Sequence, residues 1–459
     1  MAGVLVMDLR KEEKNFYKKL VLIGIPVVCQ NLISNGLNLM DTLMIGMLGE
    51  AEIAAVGAAN QVFFISTVIL FGLYSGAAVF TAQYWGAGDI QGVRKMLGID
   101  CITGLAVTLF FTCLALLFPE KIIGLFSRDP AVITYGTEYI RIAGCSYCIA
   151  GLSMAVSYNS RAIQLLKAPT IINACALTMN VVLNYFLIFG IGSFPQLGVK
   201  GAAIATVIAR VMELTTLLLY IYTREKHPFK AKLSELMGFS KDLYIRSMKM
   251  AVPVVITDGS WAIAVAIVFA AYGMLGTAAL AVTQVSNVIT EMLQSVYYGV
   301  GNATAMLIGE TLGQGDKEGA YRNGKRAVKV VLVLNVIILF FTLAIIKPVA
   351  GIYNFDAETG ELLARTLFVI AFITTPRMIG DIYLVGILRS GGDAMFCMVL
   401  ELICNLAVQV PIAFLAVSVL GLSLPAAMII GELGDIIRIA ACMPRFRSKK
   451  WINIVIDIE

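Results

Sequence analysis

One histidine, three tryptophans and a charged fraction of only 14% are the conspicuous shortages in this chain of 459 residues. The lone His227 stands in a charged stretch, so no second imidazole exists for a histidine metal centre. The nine cysteines are scattered through apolar runs and make no pair of CxxC motifs; they read as small buried hydrophobes. No GxxxxGK[ST] stretch is present, and no Ser, Cys or His constellation suggests a nucleophile, so neither ATP hydrolysis nor enzyme chemistry is expected, and no cofactor. The charge shortage excludes most. Soluble domains are about a quarter charged, whereas this chain is 59% hydrophobic with a mean hydropathy of +0.85. Its apolar runs last roughly 20–30 residues, against about four to eight for buried strands. The reading is an integral membrane protein with the lipid bilayer as its main partner and no nucleic acid.

Apolar segments long enough to span fall at 20–44, 52–80, 92–118, 132–158, 168–190 and 198–223, then at 248–272, 278–308, 328–350, 362–388, 395–419 and 424–442. Backbone groups in lipid must be satisfied within the segment, so these are expected as helices. The fold class is therefore an all-α polytopic membrane protein with twelve transmembrane helices. Lys and Arg concentrate in alternate connections, at Arg94 and Lys95, Arg161 and Lys167, 224–249 and 317–329, and in the tail RFRSKKW. By the positive-inside rule both termini are expected in the cytoplasm. No cleavable signal is expected, because MAGVLVMDLRKEEKNFYKKL is charged ahead of the first apolar run. The expected organisation is a lead-in at 1–19, a six-helix bundle at 20–223, a linker at 224–247, a second bundle at 248–443 and a tail at 444–459.

The two halves repeat. A constant offset of 227 residues carries Pro26 to Pro253, Gly49 to Gly276 and Asn60 to Asn287, and GAGD at Gly86–Asp89 to GQGD at Gly313–Asp316. Six spans per half make the repeats parallel, which predicts two pseudo-symmetric bundles. Pro26 and Pro253 each lack an N–H for the i→i−4 bond and are expected to let their helices bend.

Asp41 is a carboxylate in an apolar run with no Lys or Arg nearby in sequence. Such a group usually faces a cavity or partner. It reads as a site for a proton or a cation, or else as an interfacial residue beside the turn at Gly46–Gly49. Asn180 and Asn184 lie one helical turn apart, and Thr206 lies on the next span; their oxygens suit Na⁺ beside one carboxylate, or simply join helices. Asp258, Glu291 and Asp381 are the candidates of the second half, with pairing to Arg377 or Lys347 as the structural alternative for Glu291. Arg210 and Glu213 read as an intrahelical pair. Glu401, Glu432 and Asp435 fall near expected helix ends, where interfacial placement suffices. Gln30, Asn31, Asn35, Gln61, Gln284 and Asn287 are polar positions expected to face a cleft.

Several of these stretches resemble the multidrug and toxic compound extrusion family: Asp41–Gly49 with Ala54–Asn60, AAVFTAQYWGAGD, PQLGVKGAAIATVIAR at Pro195–Arg210, and GILRSGGD at Gly386–Asp393. The resemblance implies an antiporter of a prokaryotic cytoplasmic membrane, functional as a monomer. It would export organic cations or amphiphiles in exchange for H⁺ or Na⁺ by alternating access at a central cleft. It also implies a coupling site at Asp41, Asn180, Asn184 and Thr206, with Na⁺ at Asp41 as the one metal ion allowed. One family branch has a second aspartate where this chain has Asn184. Another has carboxylates on the seventh and tenth helices, which Asp258 and Asp381 match loosely. A flippase of large amphiphiles, an exporter of one metabolite, and a channel are the alternatives; the near absence of Lys and Arg from the spans weighs against the flippase.

Overall fold

The computed structural model describes residues 2–192, 194–352 and 356–456, with no β-strand among them. Met1 of the expected lead-in and 457–459 of the expected tail lie outside these. The first half holds α1 (Ala2–Gly46), α2 (Glu50–Ala87), α3 (Ile90–Leu117), the short α4 (Pro119–Ile123), α5 (Pro130–Ala143), α6 (Tyr147–Ala162), α7 (Lys167–Phe189) and α8 (Val199–Thr223). A short α9 (Leu233–Leu236) lies in the linker. The second half opens with α10 (Lys241–Gly273), α11 (Thr277–Gly313), α12 (Lys317–Ile352) and α13 (Ala357–Asp381). It closes with α14 (Ala394–Leu402), α15 (Val410–Phe414), α16 (Leu424–Gly431) and α17 (Leu433–Arg447).

Ten helices among the described residues are long and apolar enough to cross a membrane. Two expected spans differ. The eighth, within the 37-residue α11, is diluted by Gln284, Asn287, Glu291 and Gln294. The twelfth is broken at Glu432 into α16 and α17, of 8 and 15 residues. Three π-helical stretches, Ile382–Arg389, Ile403–Gln409 and Leu415–Val419, extend α13, α14 and α15.

The chain divides into two compact units. One is Cys29–Ala251; the other is Met1–Val28 with Val252–Glu459. Each boundary falls inside a helix, within three residues of Pro26 or Pro253. The leading part of α1 thus packs in the carboxy-terminal unit, where Gly24 meets the backbone of Gly299 on α11. The leading part of α10 packs in the amino-terminal unit, where Gly76 on α2 lies against Ala251. Small residues at these crossings let backbones approach closely, as helix packing in lipid requires.

The duplicated GxGD motif makes the same turn twice. Gly88 (φ 76°) and Gly315 (φ 80°) occupy the left-handed region that only glycine enters without strain. The following aspartate then caps a helix: Asp89 Oδ1 accepts from Gly92 N–H at 2.9 Å, and Asp316 Oδ1 from Gly319 N–H at 2.7 Å.

Within the amino-terminal unit, Ile45, Ala55, Ala59, Val62, Tyr139, Ile140 and Ile188 form a core joining α1, α2, α5 and α7. Within the carboxy-terminal unit, the segment beyond α17 folds back. Trp451 is fully buried, its Nε1–H donates to the Phe446 carbonyl at 3.1 Å, and Asn453 N–H donates to the Gly391 carbonyl at 2.9 Å.

Candidate cation site

Four residues singled out from sequence converge inside the amino-terminal unit. Asp41 sits five residues before the end of α1, and Asn180 and Asn184 share one face of α7 by their i, i+4 spacing. Asn184 Nδ2 donates a short hydrogen bond to Asp41 Oδ1 and also points at Asn180 Oδ1, 3.5 Å away. Asn180 Nδ2 lies 3.4 Å from Thr206 Oγ1 on α8, whose hydroxyl donates to the Ala202 carbonyl at 3.0 Å. No Lys or Arg pairs with Asp41 among the described residues. Asn184 is fully buried, and its Oδ1 has no donor among them.

Sequence reasoning missed two members. Tyr139 on α5 is 4% exposed; its hydroxyl lies 3.4 Å from Asn60 Oδ1 on α2 and within hydrogen-bonding reach of Thr206. The register that relates Asn60 to Asn287 was the available signal for Asn60; nothing local marked Tyr139. The neighbouring Arg210–Glu213 pair is present at 2.7 Å, and Asn173 Nδ2 donates to Glu213 at 2.9 Å. A separate buried carboxylate, Asp100 on α3, accepts from Asn159 Nδ2 at 2.6 Å, and Asn159 Oδ1 accepts from Thr81 at 2.8 Å. Sequence reading passed over it.

The carboxy-terminal candidates do not form one site. Asp258 lies 3.2 Å from Arg389, which is 3% exposed, and Asp381 lies 3.2 Å from Arg438. Glu291 is exposed, and the alternative of a pairing with Arg377 is not realised, because that guanidinium binds Glu432 at 2.6 Å and approaches Asp435 at 3.6 Å. Glu401, Glu432 and Asp435 are not interfacial: each is 4% exposed. Of the polar cleft candidates, Gln30 is half-buried and accepts from Arg161 at 3.0 Å. Asn31 and Asn287 are half-buried, while Asn35, Gln61 and Gln284 are exposed.

Chemically, the Asp41 cluster offers one carboxylate, the amide oxygens of Asn60, Asn180 and Asn184, and the hydroxyls of Thr206 and Tyr139. That is an oxygen set for a hard monovalent cation or a proton, and no cluster of three His, Cys, Asp or Glu suited to a metal ion occurs among the described residues. The scaffold around it is a duplicated set of helices, ten of them among the described residues long and apolar enough to cross a membrane.

Comparison with known proteins gives the family. The MatE family model matches residues 26–186 and again 254–415, so the chain belongs to the MatE family of multidrug transporters. Among curated relatives, a probable multidrug resistance protein NorM of Thermotoga maritima is 24% identical over 448 residues, 96% of this chain and 94% of that one. The uncharacterized transporter YisQ of Bacillus subtilis is 22% identical, over 90% of each. Of solved structures, a MOP superfamily transporter from Pyrococcus furiosus superposes with a TM-score of 0.82 at 20% identity, covering 94% of this chain and 96% of that one. A MATE structure in the bent conformation gives 0.86 at 19%, covering 96% and 97%. The chain is a multi-pass protein of a prokaryotic inner membrane.

Proposed function

We propose that this protein is a secondary antiporter, exporting cationic or amphiphilic organic compounds in exchange for H⁺ or Na⁺ by alternating access. The observation that carries the reading is Asp41, a carboxylate within a membrane-length helix that is met by Asn184 and by no basic side chain among the described residues. A carboxylate in that position is costly unless a cation or proton joins it. Asn60, Asn180, Asn184, Thr206 and Tyr139 supply the remaining oxygens around it.

A cation arriving at Asp41 neutralises it and takes up the Asn184 oxygen that lacks a donor, which changes how the end of α1 is tied to α7. Changing that tie between two conformations is how binding at this position would bias the exchange cycle. A cycle that carries one net charge inward, as in exchange for a neutral amphiphile, yields about 2.3 kcal/mol per 100 mV, enough for a gradient of about fiftyfold. The twelve-span topology with cytoplasmic termini, and action as a monomer, belong to the same proposal.

The test is counter-transport in sealed proteoliposomes loaded with a fluorescent organic cation and given either a Na⁺ or a pH gradient. One gradient is expected to drive flux, and Asp41→Asn to lower it at least about a hundredfold, 2.7 kcal/mol, while leaving the protein folded. Normal flux in D41N would remove Asp41 from the mechanism.

A further inference from the structure

At one end of the carboxy-terminal unit two lysines converge on a single aromatic ring. Tyr321 on α12 stacks on Phe446 of α17, with ring centroids 4.9 Å apart, and Phe446 stacks in turn on the buried Trp451. The stack fixes the tyrosine ring in place. Lys325 Nζ lies 4.5 Å from its centroid and Lys449 Nζ 4.8 Å, so at most about 9 Å separates the two ammonium groups. Each is attracted to the ring, but like charges this close still repel, because physiological salt screens only beyond about 8 Å. Lys449 pairs with Glu318 at 2.5 Å. Lys325 has no carboxylate partner among the described residues, and neither have the exposed Lys329, one turn along α12, and Lys450, next to Lys449. Glu12 and Asp316 are taken up by Arg322 and Arg326. Four lysines thus stand against one carboxylate among the described residues.

Two further features mark the place. Lys449 has a φ of 57°, a left-handed backbone that lysine seldom adopts, in the turn that sends its side chain to the ring. The half-buried Tyr321 leaves its hydroxyl without a hydrogen bond among the described residues. Beyond the lysines α12 turns apolar on the same side. Lys325, Lys329, Val333, Val336 and Phe340 follow one another at three- and four-residue spacing, which keeps them on one face. The last three are 61%, 54% and 66% exposed. From Lys329 to Phe340 is roughly 16 Å along the helix, about half of a bilayer's hydrocarbon core. A charged head followed by one leaflet of apolar surface matches an amphiphile whose own head is anionic.

We propose that Tyr321, Lys325, Lys329 and Lys449 form a headgroup site for an anionic phospholipid, whose acyl chains lie along Val333, Val336 and Phe340. The phosphodiester bridges the ammonium groups through charge-assisted hydrogen bonds and removes their repulsion. The phenol hydroxyl donates one more. The apolar face commits the site to a lipid, since a free phosphate would use none of it. Lys449 belongs to the segment that folds back onto Gly391, so a bound headgroup also ties that segment to α12. The site requires neither Asp41 nor the antiport reading.

Full-length protein in detergent is titrated with dioleoyl phosphatidylglycerol or, as zwitterionic control, dioleoyl phosphatidylcholine. Native mass spectrometry then gives the Kd of the first lipid retained. Phosphatidylglycerol is expected to bind at least about tenfold more tightly, 1.4 kcal/mol, and K325Q/K449Q to abolish that preference. K167Q/K226Q removes the same charge from exposed lysines of the amino-terminal unit and is expected to keep it. No preference in the unaltered protein, an undiminished preference in K325Q/K449Q, or an equal loss in K167Q/K226Q overturns the proposal. Displacement of the lipid by millimolar inorganic phosphate also overturns it, because the site would then recognise phosphate alone. Should K325Q/K449Q fail to fold, K325Q/K329Q, which keeps the Lys449–Glu318 pair, takes its place under the same criterion. Transport is not read in any arm, so failure of the antiport proposal and failure of this one remain separate results.

Discussion

At Asn184 one atom separates two kinds of site. Its Nδ2 donates to Asp41, and replacing that nitrogen by oxygen would set a second carboxylate against the first with no arginine on either. Two such groups cannot both ionise without a cation between them. Asn184→Asp is therefore expected to tighten Na⁺ binding about tenfold, 1.4 kcal/mol, read as the half-saturating Na⁺ concentration for thermal stabilisation in detergent against a choline control. An unchanged Na⁺ dependence would mean that the amide is only a helix–helix hydrogen bond. Much of this site was legible because Asp41, Asn180, Asn184 and Thr206 are isolated polar residues in apolar runs, where the cost of burial makes each conspicuous. Tyr139 was not, because a tyrosine in a helix is ordinary until its hydroxyl is seen beside Thr206. Glu432 and Asp435 were misjudged for a different reason. Distance from a helix end says nothing of the face a side chain takes, and the residues that meet Arg438 come from as far as 57 positions away.

At the scale of elements, the repeat was legible in full where it makes turns: both GxGD motifs use a left-handed glycine and an aspartate cap. What periodicity does not reveal is that α1 and α10 each pass from one compact unit to the other near a proline. One close contact at the leading part of α10 is made at a glycine. A Cβ on Gly76 would lie 2.5 Å from the Ala251 Cα, against backbone that has no side chain to move aside. Gly76→Val is expected to destabilise the folded protein by about 1–3 kcal/mol, seen as a lower thermal midpoint. Gly57→Ala is the control, on the same helix with nothing within 4 Å of its added Cβ. It should gain up to about 1 kcal/mol from helix propensity. Equal effects at the two positions would show that the α2–α10 approach is not tight.

At the scale of the whole molecule, the charged stretch that composition marks as the connection between halves is itself built into the amino-terminal unit. Arg94 on α3 donates from Nε to the Pro228 carbonyl at 2.9 Å and from Nη2 to the Lys230 carbonyl at 2.7 Å, and Tyr222 donates to the Ala231 carbonyl at 3.0 Å. Phe229 is 2% exposed, and the Leu236 carbonyl fills the space where Gly98 lacks a Cβ. The sole histidine sits at the centre of this docked segment. His227 Nδ1 accepts from the Phe229 N–H at 3.2 Å, which requires that nitrogen to be unprotonated. Burial pushes the imidazole below its usual range, and nearby Arg224 pushes it further. The undocked linker therefore binds a proton more readily than the docked one. Docking is fully favoured above the ordinary histidine value of about 6.5 and is lost as pH falls through the lowered one. Amide hydrogen exchange, corrected for its intrinsic pH dependence, should show protection at 227–236 falling between about pH 7 and pH 5. In His227→Gln, which carries no titrating group there, protection should stay level across the same interval. A parallel fall in that variant would assign the change to the acidic partners of the linker, Glu235 on Arg94 foremost, and would leave the histidine as packing alone.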